Sequence, residues 1–236
     1  MRVNEIEISD AMAYMKDIPD KFIDLTITDI PYGKVNRPSN GLRNLDKGKA
    51  DVVTFDLEVL VCEFCRVTRN SIYVFCGTEQ VSEIRKTLVK HGLSTRTIIW
   101  EKTNPSPMNG DKIWLSGIEM CVFGKYPKAP FNGHCLNTVL RYPCGRNKIH
   151  PTQKPISLIE KLVNISSNPG DIILDPFMGS GTTAVAALMN GRKFTGCDID
   201  PQFVELARLR VQEVKERLNF YDIHELLDDR TVKQCE

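Results

Sequence analysis

Short apolar, β-rich runs alternate along this chain with segments whose apolar residues recur at helical spacing. Phe22–Thr28, Ser71–Cys76 and Thr95–Trp100 are runs of the first kind, and turn-forming residues bound them. Phe55–Thr68 and Ile156–Ser166 are segments of the second kind, because their apolar residues return every three or four positions. Strands that alternate with helices of this length indicate an α/β fold with a doubly wound, mostly parallel sheet.

The length of the chain fits a single domain. Its 236 residues can bury one sizeable core, and no internal repeat or low-complexity segment divides them. We therefore predict one domain over residues 1–236, with two basic loops or insertions at 33–50 and 124–150. No apolar run is long enough to span a membrane, and the N-terminus lacks the form of a signal peptide. We expect an intracellular protein.

The eight cysteines do not form a disulfide or zinc framework. Cys62 and Cys65 have the spacing of half a zinc site. Cys135, Cys144 and His150 could form another half. No second Cys-x-x-Cys completes either set, and Cys62 lies inside a helical apolar pattern. We therefore predict no metal site and expect reduced thiols, as is usual inside cells.

Positive charge is concentrated in two stretches, although the net charge is only +1. No Asp or Glu occurs from Met120 to Ile159, and Asp46 is the one acid between Lys34 and Lys49. A solvated surface usually mixes both signs, whereas clustered cations are typical of a nucleic-acid-binding surface. The candidate nucleic-acid-binding residues are Lys34, Arg37, Arg43, Lys125, Lys128, Arg141, Arg146 and Lys148.

The predicted strand at 22–28 leads into Asp29-Ile30-Pro31-Tyr32. In an open α/β sheet, ligands bind beyond the carboxyl ends of the strands. Pro31 restricts Ile30 to extended geometry, so the Asp29 carboxylate and the Ile30 carbonyl become two fixed acceptors beside the Tyr32 ring. Two acceptors and a flat ring suit a planar group that carries an NH2, such as a nucleobase. Taken alone, the tetrapeptide is more typical of a turn after a strand.

A second candidate site lies in residues 171–200, which read as strand, glycine turn, helix, strand and acid. Gly179 and Gly181 let the backbone turn sharply and approach a ligand closely. Asp198, after the next strand, is placed to accept hydrogen bonds from ribose hydroxyls. The segment is not a P-loop, because no Gly-Lys-Ser/Thr follows the turn, and it lacks the third glycine of the dinucleotide fingerprint. The pattern predicts a nucleoside-binding unit.

Three motifs together resemble those of the amino-group DNA methyltransferases that use S-adenosylmethionine. They are Asp29-x-Pro31-Tyr32, His150-Pro151-Thr152-Gln153-Lys154-Pro155 and Asp175-Pro176-Phe177-x-Gly179-x-Gly181-Thr182-Thr183. Their order, with the catalytic motif first and the cofactor motif last, resembles the permuted β-class. The resemblance covers most of residues 3–32 and 150–210. It implies a Rossmann-like fold with a seven-stranded sheet, S-adenosyl-L-methionine as the cofactor and DNA as the partner.

The resemblance also implies roles for individual residues. Asp29 and the Ile30 carbonyl would accept both N–H hydrogens of the target amine, which frees its lone pair, and Tyr32 would stack on a flipped base. Pro31 completes this catalytic motif, and no metal is required. The implied cofactor-binding residues are Asp10 near the adenine, Lys154 closing the pocket, Asp175 near the amino group, Phe177, Gly179 and Gly181 around the methionine part, Thr182 beside them, and Asp198 on the ribose.

Two features of the chain depart from the family pattern. Ile30 stands where Pro is common, but the needed group is a backbone carbonyl, so we expect activity to be retained. The chain also lacks a large recognition region. Sequence specificity would then be short or weak, or would depend on a homodimer or on a specificity or restriction partner. Phosphate contacts from the basic stretches supply affinity without sequence information.

The predicted function is methyl transfer to the N6 amino group of adenine in DNA, because Asp at the first motif position is the form associated with adenine. The implied setting is the cytoplasm of a prokaryotic or phage-type system, beside the nucleoid. N4-cytosine and RNA adenine methyltransferases are alternatives with the same fold. A nicotinamide oxidoreductase is disfavoured by the missing third glycine. A non-catalytic nucleic-acid-binding relative is disfavoured by the intact Asp29, Pro31 and Tyr32.

Overall fold

The computed structural model describes residues 2–32, 55–107, 110–145 and 153–232, with side chains described as far as residue 220. Its strands are β1 (Ile6–Ile8), β2 (Ile23–Asp29), β3 (Thr68–Cys76), β4 (Ser94–Lys102), β5 (Ile118–Lys125), β6 (Val139–Tyr142), β7 (Ile172–Asp175) and β8 (Lys193–Asp198). Its helices are α1 (Ala11–Lys16), α2 (Leu57–Val67), α3 (Val81–Lys90), α4 (Ile156–Ser166), α5 (Thr182–Met189) and α6 (Pro201–Val232), and a 3-10 turn at Thr78–Gln80 precedes α3.

The eight strands form one sheet in the order β1-β8-β7-β2-β3-β5-β4-β6. All neighbouring strands are parallel except the two pairs that involve β5. The mostly parallel α/β sheet is therefore confirmed, and the expected count of seven strands is corrected to eight. The additional strand is β6, which has only four residues and lies in a stretch rich in turn formers. Four residues are too few for a period-2 pattern to stand out.

Helices cover both faces of the sheet, as a doubly wound fold requires. The core on one face includes residues of α4, α5 and α6, and the core on the other face includes residues of α2 and α3. The central strand β3 supplies both cores by alternation, since Tyr73 and Phe75 point into the first and Ile72 and Val74 into the second. Within the described residues, no helix has the length and hydrophobicity to cross a membrane.

The carboxyl ends of β1, β2, β7 and β8 meet at one edge of the sheet, which we call the carboxyl edge. Asp10, Asp29, Asp175 and Asp198 all lie at or just beyond these strand ends. Because β5 runs in the opposite direction, it begins at the carboxyl edge and finishes with Lys125 at the other edge. Residues 124–150, which we predicted as a basic loop or insertion, therefore begin at the edge opposite the carboxyl edge, and they include the strand β6.

Candidate active site

β2 delivers Asp29 to the carboxyl edge, where two side chains hold its carboxylate. The Tyr32 hydroxyl donates a hydrogen bond of 2.7 Å to Oδ1, and Lys154 Nζ donates to Oδ2. The Lys154 side chain is 7% exposed and that of Asp29 is 26% exposed. Burial raises the pKa of Asp29 against the attraction of Lys154. Burial also raises the pKa of Tyr32 well above its usual value, so its phenol keeps its proton and remains a donor.

The backbone beside this carboxylate is fixed by Ile30 and Pro31. The Ile30 N–H donates to the Phe75 carbonyl at 3.1 Å, which extends the β2–β3 pairing by one residue, and the Ile30 side chain is buried. Gln80 donates from Nε2 to the Pro31 carbonyl at 3.0 Å and accepts the Gly77 N–H at 2.8 Å. Within the described part of the chain, no hydrogen bond to the Ile30 carbonyl is present.

β7 ends in Asp175, at the start of the glycine turn. Its carboxylate accepts hydrogen bonds from the hydroxyls of Thr28 at 2.9 Å and Thr183 at 2.7 Å, and from the Phe177 N–H at 3.1 Å. Burial raises the pKa of Asp175 to about 7, against the effect of these donors. Thr28 directly precedes Asp29 on the neighbouring strand. The two predicted motifs are therefore in contact.

The glycine turn is joined to the end of β8. Gly179 and Gly181 have φ angles of 50° and 78°, in the left-handed region that favours glycine. The Gly179 N–H donates to Asp198 Oδ2 at 2.7 Å, and the Asp200 N–H donates to Oδ1 at 2.9 Å. Burial raises the pKa of Asp198. A Cβ added to Gly179 would meet no atom of the described residues within 4 Å, so these residues leave open space beside the turn. Thr182 follows the turn as the first residue of α5.

Two other predicted cofactor residues make contacts of their own. Asp10 caps α1, because its carboxylate accepts the N–H groups of Met12 at 3.0 Å and Ala13 at 3.1 Å. The Phe177 ring packs against Phe55 with centroids 5.6 Å apart. The structure thus brings Asp10, Asp175, Phe177, Gly179, Gly181, Thr182 and Asp198 to one edge. Their individual contacts with a cofactor stay predictions, as does the proposed part of Lys154 in closing the pocket.

Lys102 and Glu119 belong to the site but were not assigned to it from the sequence. Lys154 Nζ lies 3.0 Å from Glu119 Oε2, and Lys102 Nζ lies 2.8 Å from Glu119 Oε1. The two ammonium groups lower the pKa of Glu119, although its burial acts in the opposite direction. A lone acid in a strand carries no local signal of this role. The role of Glu119 can be recognised only when the antiparallel pairing of β4 with β5 is known.

The fold places the described nucleic-acid-binding candidates at opposite edges of the sheet. Arg141 lies on β6 at the carboxyl edge and forms an ion pair with Glu101, with Nε 3.1 Å from Oε2. Lys125 lies at the opposite edge, where Nζ donates to two nearby carbonyls, and Lys128 follows it in a turn. The residues that lie outside the described part of the chain are Lys34, Arg37, Arg43, Arg146 and Lys148, together with the predicted loop 33–50. Among the described residues, no group of three or more His, Cys, Asp or Glu could hold a metal ion.

The chain is similar to known DNA methyltransferases in both sequence and structure. The family model described as DNA methylase, N6_N4_Mtase, matches residues 111–209. The type II methyltransferase M.HpaI of Haemophilus parainfluenzae is 31% identical over 96% of this chain and 78% of its own length. The DNA adenine methyltransferase YhdJ of Escherichia coli (strain K12) is 29% identical over 86% of this chain and 80% of its own length.

A solved structure gives the same result for the fold. The crystal structure of the M1.HpyAVI–SAM complex superposes with a TM-score of 0.68 and 28% identity, covering 87% of this chain and 98% of the other. On these grounds the chain belongs to the N6/N4 DNA methylase family, the S-adenosylmethionine-dependent DNA amino-methyltransferases.

Proposed function

We propose that this protein transfers a methyl group from S-adenosyl-L-methionine to the N6 amino group of adenine in DNA. The observation that carries the proposal is the contact between Thr28 and Asp175, which joins the catalytic carboxylate of Asp29 to the cofactor turn. Asp at the first motif position supports adenine over cytosine, and so does the similarity to YhdJ, which is named a DNA adenine methyltransferase. The similarity to M.HpaI supports a role in restriction-modification.

The residues at the glycine turn fit this cofactor. Asp198 offers a carboxylate at a strand end, where ribose hydroxyls are bound in nucleoside-binding α/β units. Asp175 offers a second carboxylate, which suits the ammonium group of the methionine part. The described residues also leave open space beside Gly179. When bound, S-adenosylmethionine supplies a methyl group that its positive sulfur makes electrophilic.

The residues after β2 would prepare the base amine for attack. Its lone pair is delocalised into the ring, and two acceptors on its N–H hydrogens favour a pyramidal nitrogen with a localised lone pair. Asp29 and the Ile30 carbonyl are the two acceptors at this position. In the transfer, the nitrogen lone pair forms the N–C bond, the C–S electron pair stays on sulfur, and one N–H proton leaves. The base must leave the duplex to reach this depth, where the Tyr32 ring would stack on it.

The carboxyl edge also carries the surface that we assign to DNA. The connection between β4 and β5 begins there, because the Lys102 N–H donates to the Gly117 carbonyl at 2.8 Å. Trp114, in this connection, is 96% exposed. An exposed aromatic ring suits stacking on unpaired bases. Arg141 at the same edge can reach phosphates. Lys125 is not included, because β5 carries it to the opposite edge.

One labelling experiment tests the proposed function. The protein is incubated with methyl-labelled S-adenosylmethionine and amplified genomic DNA, which carries no methylation and contains every short recognition sequence. The DNA is then digested to nucleosides. We expect the label in N6-methyladenine, and Asp29→Ala should lose transfer while it retains cofactor binding. Label in N4-methylcytosine would overturn the adenine assignment, and cofactor binding without any transfer would identify a non-catalytic relative. RNA run in parallel tests the RNA alternative.

A further inference from the structure

Four charged side chains form a continuous row behind the base pocket. From the strand β4 inward they are Lys102, Glu119, Lys154 and Asp29, with positive and negative charges in alternation. Lys102, Glu119 and Asp29 come from three different strands, and Lys154, just before α4, is separated from Asp29 by 125 residues of sequence. The exposed fractions of the four side chains are 14%, 21%, 7% and 26%. The row is therefore largely shielded from solvent.

Lys154 is the central cation of this row. Its ammonium contacts carboxylates on both sides and lies 3.5 Å from the Tyr32 hydroxyl. It also lies over the Phe75 ring, 5.1 Å from the centroid. Although burial acts in the opposite direction, Asp29 and Glu119 raise the pKa of Lys154, so it keeps its charge. Because this buried ammonium is held by a carboxylate on each side, few other orientations are open to its three N–H donors.

Among the described residues, the other titratable groups around Asp29 do not replace this cation. They are the Tyr32 phenol, the Cys76 and Cys121 thiols and the Asp175 carboxyl. Burial raises the pKa of each of them, so none adds positive charge. Without Lys154, Asp29 and Glu119 would be two carboxylates in one desolvated region, and Lys102 would remain beside Glu119 alone. Like charges so placed cannot both stay ionised easily, and the proton would go to Asp29.

We propose that Lys154 is a positioning residue for the reaction, which keeps Asp29 ionised and aimed at the base pocket and is itself held in place by Glu119 and Lys102. The proposal rests on the proposed function, since Asp29 must be a hydrogen-bond acceptor to activate the amine. A protonated Asp29 would offer one donor and a weaker acceptor to the same N–H group. The proposal also gives Lys154 a role that differs from closing the cofactor pocket.

The test compares Lys154→Met with Lys154→Arg in the full-length protein. Methyl transfer to amplified genomic DNA is measured from pH 6 to 9.5, and S-adenosylmethionine affinity is measured by calorimetry. For Lys154→Met we expect the acid limb of kcat to move upward by about one pH unit or more, so that activity at a pH on that limb is reduced about tenfold and is recovered at high pH. Lys154→Arg keeps the positive charge, so its acid limb should match the wild type. Cofactor affinity should stay within about twofold for both variants.

A pH profile of Lys154→Met that superposes on the wild-type profile would overturn the proposal. If cofactor affinity were weakened while the pH profile stayed unchanged, Lys154 would belong to the cofactor pocket instead. Should this variant fail to fold, Lys102→Met tests the row from its other end. Glu119 would then compete with Asp29 for Lys154, so the acid limb of kcat should move in the same direction by a smaller amount. An acid limb that does not move would contradict the proposal. If the label appears in cytosine, the adenine assignment fails while the pH comparison keeps its meaning.

Discussion

The Thr28 hydroxyl donates a hydrogen bond of 2.9 Å to Oδ1 of Asp175. The two residues are 147 positions apart in the chain and lie on the adjacent parallel strands β2 and β7. Thr28 precedes Asp29, the proposed catalytic carboxylate, and Asp175 begins the predicted cofactor turn. The bond therefore joins the half of the site that we propose for the base to the half that we propose for the methyl donor.

Thr28→Val removes this bond while it nearly preserves side-chain shape. We expect the free energy of unfolding to fall by about 1–2 kcal/mol, because a buried acceptor loses a donor. We also expect weaker S-adenosylmethionine binding, because Asp175 loses one of the bonds that orient it. Urea unfolding and calorimetry measure the two effects.

Thr26→Val is the matched control for this change. Thr26 lies on the same strand, is fully buried and shares a 2.6 Å hydrogen bond with Thr68. It should lose similar stability without a change in cofactor affinity. Equal losses of affinity in both variants would contradict a specific role for the bond between Thr28 and Asp175.

Cofactor affinity should depend on pH near neutrality. Burial raises the pKa of Asp175 to about 7, so the carboxyl holds a proton at pH 6 and is mostly ionised at pH 7.5. The ionised form attracts the ammonium group of the cofactor, so we expect the Kd for S-adenosylmethionine to fall over this interval. Asp175→Asn should flatten the profile. A wild-type Kd that is constant from pH 6 to 7.5 would argue against contact between the two groups.

The same group should make the free protein less stable as the pH rises. Its folded pKa of about 7 lies above the ordinary value of 3.8, so the folded state binds the proton more tightly than the unfolded state. The resulting stabilisation is complete below the unfolded pKa and is lost as the pH rises through the folded one. The shift corresponds to on the order of 4 kcal/mol. Urea unfolding of wild type and Asp175→Asn from pH 4 to 8 should show the difference.

Two glycines near the turn should respond differently to substitution by alanine. A Cβ at Gly196 would lie 2.1 Å from the Asp175 carbonyl oxygen. Since that atom belongs to the paired backbone of β7, we expect Gly196→Ala to cost about 3 kcal/mol or more. Gly179 has a φ of 50° with no atom within 4 Å of the added Cβ, so Gly179→Ala should cost only about 1 kcal/mol of strain. Its main effect should be weaker cofactor binding. Thermal unfolding with and without cofactor separates the two.

Trp114→Ala should weaken DNA binding and leave the stability of the protein unchanged. The side chain is 96% exposed, so its removal costs little packing, while a lost stacking contact is worth about 1–3 kcal/mol. Fluorescence anisotropy with a labelled duplex measures the affinity. Val89→Ala is the control, since Val89 is also exposed but lies at the end of α3, before β4 begins. Equal DNA affinity of Trp114→Ala and the wild type would show that Trp114 does not belong to the DNA interface.

Most of the fold could be predicted from local patterns. Helix α4 spans Ile156–Ser166, as its apolar spacing predicts, because a helix with one buried face repeats in sequence. The two turns of the candidate site could be predicted because each joins a short buried strand to residues that a strand cannot continue, a proline after Asp29 and the glycines after Asp175. The strand β6 was missed because four edge residues carry no periodicity.

The sequence by itself determined the class of fold, the two motifs and the carboxylates at their strand ends, because these depend on residues close together in the chain. Only the tertiary structure decided which distant charges meet. The antiparallel direction of β5 brings Glu119 to the carboxyl edge and takes Lys125 away from it. The packing of both halves then places Lys154 between Glu119 and Asp29. Ion pairs of this kind depend on strand order and direction, which no local pattern records.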